Sequence, residues 1–118
     1  MAIELAPPHP PRLARRSTTE RLREALLTLA ERRGQVLLHR ETAWASITFA
    51  GTRHRLSLRF AGSQAVAAGE RLIAALPEHE FAIPGQLVAD ATVCEVEHRL
   101  LPEPLLLVTC ELLLLEEA

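Results

Sequence analysis

The chain contains no lysine, tyrosine or asparagine, and its aromatic side chains amount to three phenylalanines and one tryptophan. Base-stacking platforms and aromatic cages have almost nothing to be built from. With a formal charge of −2 there is no basic stripe, so nucleic acid is not an expected partner. All thirteen basic residues are arginine, which reads as the codon usage of a GC-rich, bacterial genome. No apolar run approaches the ~20 residues that span a bilayer. The start, Met1-Ala2-Ile3-Glu4-Leu5-Ala6-Pro7-Pro8, lacks the basic and apolar regions of a signal peptide. A cytoplasmic protein without a membrane partner is expected, and its two cysteines should then be thiols. The five glycines are scattered, so no phosphate-cradling loop exists. No cofactor is implied.

What is present suffices for one domain: 118 residues, 48% hydrophobic and 24% charged, enough to bury a core without disulfides or metal. Residues 1–16 read as a flexible proline-rich tail, because Pro7, Pro8, Pro10 and Pro11 cannot donate to a helix or a ladder. Its Pro-x-x-Pro-x-Arg run, residues 7–12, matches an SH3-type ligand pattern, although so short a match is common by chance. Residues 17–118 form the folded unit.

Ser17-Thr18-Thr19-Glu20 is a capping box opening a helix whose stripe is Leu22, Leu26, Leu29 and Ala30, with Gly34 as its stop. A short strand at 35–40 and a hairpin of 44–50 with 53–60, turning at Gly51, follow. Ser63 caps a slim second helix of Val66, Leu72, Ile73 and Leu76 with Ala and Gly between, ending at Pro77. A short strand at 80–83 precedes a closing hairpin of 86–98 with 105–116. The expected fold is α+β, in the order helix-strands-helix-strands: one antiparallel sheet of five to six strands with two helices on one face. The order repeats, but the likeness of Leu29-Ala30-Glu31 to Leu76-Pro77-Glu78 is too thin to establish duplication.

The last strand is apolar on both faces. Its even positions are Leu106, Val108, Cys110, Leu112 and Leu114, and its odd ones include Leu105, Leu107, Leu113 and Leu115. A solvated sheet face would alternate. The even row suits a core under the helices; the odd row calls for other cover, either a partner subunit or the first hairpin. An apolar patch of several hundred Å2 is more than a monomer usually leaves bare.

Candidate chemistry is sparse. With the closing turn centred on Pro102, Cys94 faces Cys110, conceivable as a redox pair but more simply two packed thiols. His39 with Glu41, His79 between Glu78 and Glu80, and His98 near Glu95 and Glu97 are the local His–carboxylate groupings. Each is at a strand end or loop where polar residues are solvated, and no nucleophile accompanies them. No His/Cys spacing suits zinc, so neither a catalytic nor a metal site is expected. Arg53, Arg55 and Arg59 share one strand face, with His54 on the other; they suit an anion or a plain solvated face. Trp44 is a rim residue that could anchor a ligand. Asp90 stands in the apolar row Val88, Thr92, Cys94, Val96, where burial would raise its pKa unless a bulge re-aims it.

The expected function is a non-enzymatic homo-oligomeric assembly module, a homodimer or higher, associating through Leu105, Leu107, Leu113 and Leu115. The alternative is a binder, even an enzyme, of a small apolar ligand or acyl chain. Its cavity would lie between sheet and helices, with Trp44, Asp90, Arg53, Arg55 and Arg59 at the site and the slim second helix leaving room.

Overall fold

The computed structural model describes residues 17–117. The proline-rich tail and its SH3-like pattern lie outside the described residues. Helix α1 (Thr18–Leu29) begins as expected, the Ser17 hydroxyl accepting from the Glu20 amide at 3.1 Å. Its end differs. The C-cap is Ala30, and the left-handed residues are Glu31 and Arg32, both at φ 58°. Backbone bonds from Glu31 N–H to the Thr28 carbonyl and from Arg32 N–H to the Leu27 carbonyl, at 2.9 and 2.8 Å, close this end, and Arg71 pairs with the Glu31 side chain at 2.6 and 2.8 Å. Gly34 is small for another reason: a Cβ there would stand 2.8 Å from the Phe60 ring.

Strand β1 (Gln35–Ala45) and strand β2 (Ala50–Ala61) form one long hairpin. The two strands expected between residues 35 and 50 are fused, because the turn is at residues 46–49 and not at Gly51. There the Ser46 hydroxyl accepts from the Phe49 amide at 3.0 Å, closing the loop with a side chain in place of a glycine. Ile47 and Phe49, expected on the strand, are exposed on this turn. Helix α2 (Ser63–Ala75) is capped by Gly62 at φ 94°, not by Ser63. Residues 80–83 contribute only a single bridge, Ile83 to Gln86. Strand β3 (Gln86–Arg99) and strand β4 (Leu105–Glu116) close the fold.

The sheet therefore has four strands, not five or six, in the order β1-β2-β4-β3 with every neighbouring pair antiparallel. The halves α1-β1-β2 and α2-β3-β4 occupy equivalent places in that order. The chain crosses from β2 over to the far edge and returns, so its last strand lies in the middle. This accounts for β4's leucines: a central strand has side chains beside it on both faces. Its even row, Leu106 to Leu114, is at most 1% exposed. With Leu56, Leu58 and Phe60 of β2 it packs against Leu22 and Leu26 of α1 and Val66 and Leu72 of α2 in one core. Each such side chain contributes roughly 1.5–3 kcal/mol.

At Gly69 α2 sits tight on the sheet. A methyl group at Gly69 would stand 2.7 Å from Leu106 Cδ2 and 2.9 Å from the Phe60 ring. There the small residue brings the helix close and leaves no room. An open groove of about 730 Å3 lies elsewhere, between α1 and residues 79–84.

Candidate functional site

Strand alternation divides the sheet into a core face under the helices and an open face with no layer over it among the described residues. The register places the expected interface leucines and the residues of the alternative ligand site, Trp44, Asp90, Arg53, Arg55 and Arg59, on the open face. Arg53, Arg55 and Arg59 form the expected row on β2. Arg53 and Arg55 are engaged across the strands: both reach Glu111 on β4, and Arg55 also approaches Glu95 on β3 at 4.0 Å. Hydrogen bonding to Glu111 holds the Arg55 guanidinium above its ordinary pKa. Ser57 and Thr109 continue the ladder at 3.1 Å. Beyond it, Trp44 is half-buried on β1 and Leu115 lies against Gly51, whose added Cβ would stand 3.0 Å from Leu115 Cδ2. Leu113 and Leu115 are only 9% and 8% exposed, and Leu105 and Leu107 are half-buried. Neighbouring side chains within the chain cover much of the odd row.

Two bulges re-aim β3. The register slips at Ala89 and again at Cys94. Each slip reverses the alternation, since the side-chain period is two. Val88, Ala91 and Val93 turn to the core, while Asp90, Thr92 and Glu95 turn to the open face. Asp90 is thus exposed, not buried. Val93, not Cys94, stands opposite Cys110, and Thr92 stands opposite Glu111. Beyond the second bulge Val96 stands opposite Val108 and Glu97 opposite Leu107, the register that a closing turn centred on Pro102 sets. Both thiols are free, Cys94 exposed and Cys110 buried, and burial pushes the Cys110 thiol up to about 12.

A second constellation lies on the core face at the β1 edge, and the spacing arguments missed it. His39 and Glu41, two apart on β1, share a face, and the hairpin register sets His54 opposite Glu41. Thr19 and Arg23, four apart on α1, come down over them. The contacts are tight: Arg23 Nε donates to His39 Nδ1 at 2.9 Å, and His39 Nε2 lies 2.9 Å from His54 Nδ1. Thr19 Oγ1 donates to Glu41 Oε2 at 2.8 Å. His54 is 1% exposed.

These contacts assign the tautomers. An arginine N–H only donates, so His39 Nδ1 is the acceptor and its proton resides on Nε2. Nε2–H then donates to His54 Nδ1, whose own proton is on Nε2. The chain of donors runs Arg23, His39, His54, and it requires both rings neutral. Their environment agrees. Burial, then the neighbouring His54 and Arg23, bring His39 down to about 4, and burial lowers His54 as well, with Glu41 opposing in both cases. One donor atom each from His39, Glu41 and His54 lies within 4.8 Å of the others. The sequence signal that finds this trio is the hairpin register; a turn placed at Gly51 hides it, and one centred between Ile47 and Thr48 pairs residue 41 with 54. No protein-family model, curated protein or solved structure matches the chain.

Proposed function

We propose that the protein is a homodimeric assembly module in which two copies stack their open sheet faces. The observation that carries this reading is the charge division of that face. The β1–β2 half bears Arg40, Arg53, Arg55 and Arg59 and no acid; the β3–β4 half bears Asp90, Glu95, Glu97 and Glu111, with Arg99 bonded to Glu97. Arg40, Arg59 and Asp90 have no ion-pair partner among the described residues.

A two-fold axis in the interface, running along the strands between β2 and β4, lays the basic half of each copy over the acidic half of the other. An axis across the strands would set arginine over arginine. The charges thus choose one packing, which is what electrostatic complementarity does best, and near-aligned strands are a common way for sheets to stack. The same axis brings the end bearing Trp44, Leu115 and the exposed Leu87 onto its own copy. Trp44 meets the Leu87 edge there, and the anchoring role passes from the mostly covered Leu113 and Leu115 to these two side chains. Four strands at ~4.8 Å spacing and eleven residues at ~3.3 Å give a footprint of roughly 700 Å2 per copy. That lies near the ~800 Å2 per partner of a stable interface.

Sedimentation equilibrium of the full chain tests this. A dimer is expected at low micromolar concentration. The doubly reversed chains R40E/R59E and D90R/E97R should each be monomeric, because like charges then face each other. Mixed together they should form a heterodimer, since one contact is reversed on both sides and the other is untouched. A monomeric wild type, or reversal mutants that dimerise as it does, would overturn the proposal.

A further inference from the structure

The cluster under α1 is on the opposite face from the proposed dimer contact and is a separate matter. We propose that His39, Glu41 and His54 bind one divalent first-row transition-metal ion, with Arg23 as the competitor for the site. The spacing fits the chemistry. Two metal–nitrogen bonds of about 2.05 Å hold their nitrogens ~2.9 Å apart at a right angle and ~3.3 Å apart at the tetrahedral angle. The His39 Nε2 to His54 Nδ1 separation is 2.9 Å, now held by a hydrogen bond between rings whose centroids are 5.1 Å apart. The two rings must turn from this in-line contact for both lone pairs to converge on an ion. The 4.8 Å envelope of the three donors is wider than the ~4.2 Å that two such bonds span, and the exposed, unbranched Glu41 has the freedom to close the difference.

Two imidazoles and one carboxylate select ions of zinc or ferrous type over magnesium and calcium, which prefer oxygen alone. His54 offers the Nδ1 lone pair directly, whereas His39 binds through Nε2 only once its proton has passed to Nδ1. Thr19 fixes one oxygen of Glu41 and leaves the other to bind, the usual arrangement behind a carboxylate ligand. Three protein ligands leave a coordination position open.

Arg23 makes the site conditional. A neutral His39 that binds metal through Nε2 must carry its proton on Nδ1, and an Nδ1–H cannot accept from Arg23 Nε–H. The metal and the Arg23 contact are therefore mutually exclusive. Arg23 is exposed and can swing clear.

The test is titration of the full chain, stripped with chelator, with Zn2+ by calorimetry and with Co2+ by its visible spectrum. A Cys94→Ser background removes the exposed thiol. One ion per chain is expected. Glu41→Gln should weaken binding at least about tenfold, Arg23→Ala should tighten it, and His54→Ala should abolish it. Because His54 is buried, loss of binding in its variant does not separate a lost ligand from a lost fold, and the two surface variants carry the decision. Equal affinity in wild type, Glu41→Gln and Arg23→Ala would place the ion elsewhere. No binding at micromolar metal by wild type or Arg23→Ala would leave only a hydrogen-bonded histidine pair. Either result overturns the proposal.

Discussion

Replacing Gly69 with alanine sets two principles against each other. Helix propensity alone predicts a gain of about 1 kcal/mol, since glycine in a helix interior is the poorer residue by that amount. The packing predicts a loss. The new methyl would stand 2.7 Å from Leu106 Cδ2 and 2.9 Å from the Cγ and Cδ2 of Phe60. Ordinary carbon contacts begin near ~3.5 Å, so α2 has to retreat by roughly 0.6–0.8 Å or its neighbours have to yield. Neither neighbour has slack, for Phe60 is 0% and Leu106 is 1% exposed. Overpacking of this kind costs ~1–3 kcal/mol, and the net expectation after the propensity gain is a loss of about 1 kcal/mol. Urea denaturation should show a lower midpoint with unchanged slope. A Leu106→Val change in the same chain should recover part of the loss, giving a coupling that separate additive effects would not. A Gly69→Ala variant more stable than wild type by about 1 kcal/mol would refute the reasoning. It would also reopen the question of space between helix and sheet.

Acid should destabilise the fold through the buried histidines, measured with chelator present. His39 and His54 are both lowered below 6.5 in the folded chain, so their contribution is whole above pH 6.5 and is lost as the pH falls through their folded-state values, about 4 for His39, because the unfolded chain takes up protons the native one refuses. For His39, lowered from 6.5 to about 4, the ceiling is ~3.4 kcal/mol, and partial exposure reduces it to roughly 1–2 kcal/mol. His39→Gln should flatten the dependence of the urea midpoint on pH, and a wild-type profile already flat from pH 7.5 to 4.5 contradicts it. A thiol reagent at neutral pH should modify one cysteine per native chain, Cys94, because Cys110 is buried with its thiol near 12. Peptide mapping showing native modification of Cys110 would count against the assigned register.

Local pattern carried a good deal of this fold. The Ser17–Glu20 cap, the arginine row of β2 and the even-numbered core row of β4 all follow from periods of 3.6 and 2 within a single element, where side-chain direction depends on near neighbours alone. The strand count was less legible, because a four-residue turn closed by Ser46 has no glycine to mark it. The bulges were partly visible: Val88, Ala91 and Val93 break strict alternation, and the slip at Ala89 is what lets all three face inward. Polar Asp90 and Thr92 then reach water.

Which strands lie side by side is a different kind of fact. Strand β4 carries leucine on both faces whether it ends at an edge or in the middle; its central place comes from the crossing of the chain from β2 to β3, a contact between distant segments. The trio His39, Glu41 and His54 depends in the same way on hairpin register, since a slip of one residue would turn His54 to the open face. Composition and periodicity settle what each element must bury. Only the folded chain, through register and strand order, settles which polar groups meet there, because hydrogen-bond pairing between segments is specified jointly by both and by neither alone.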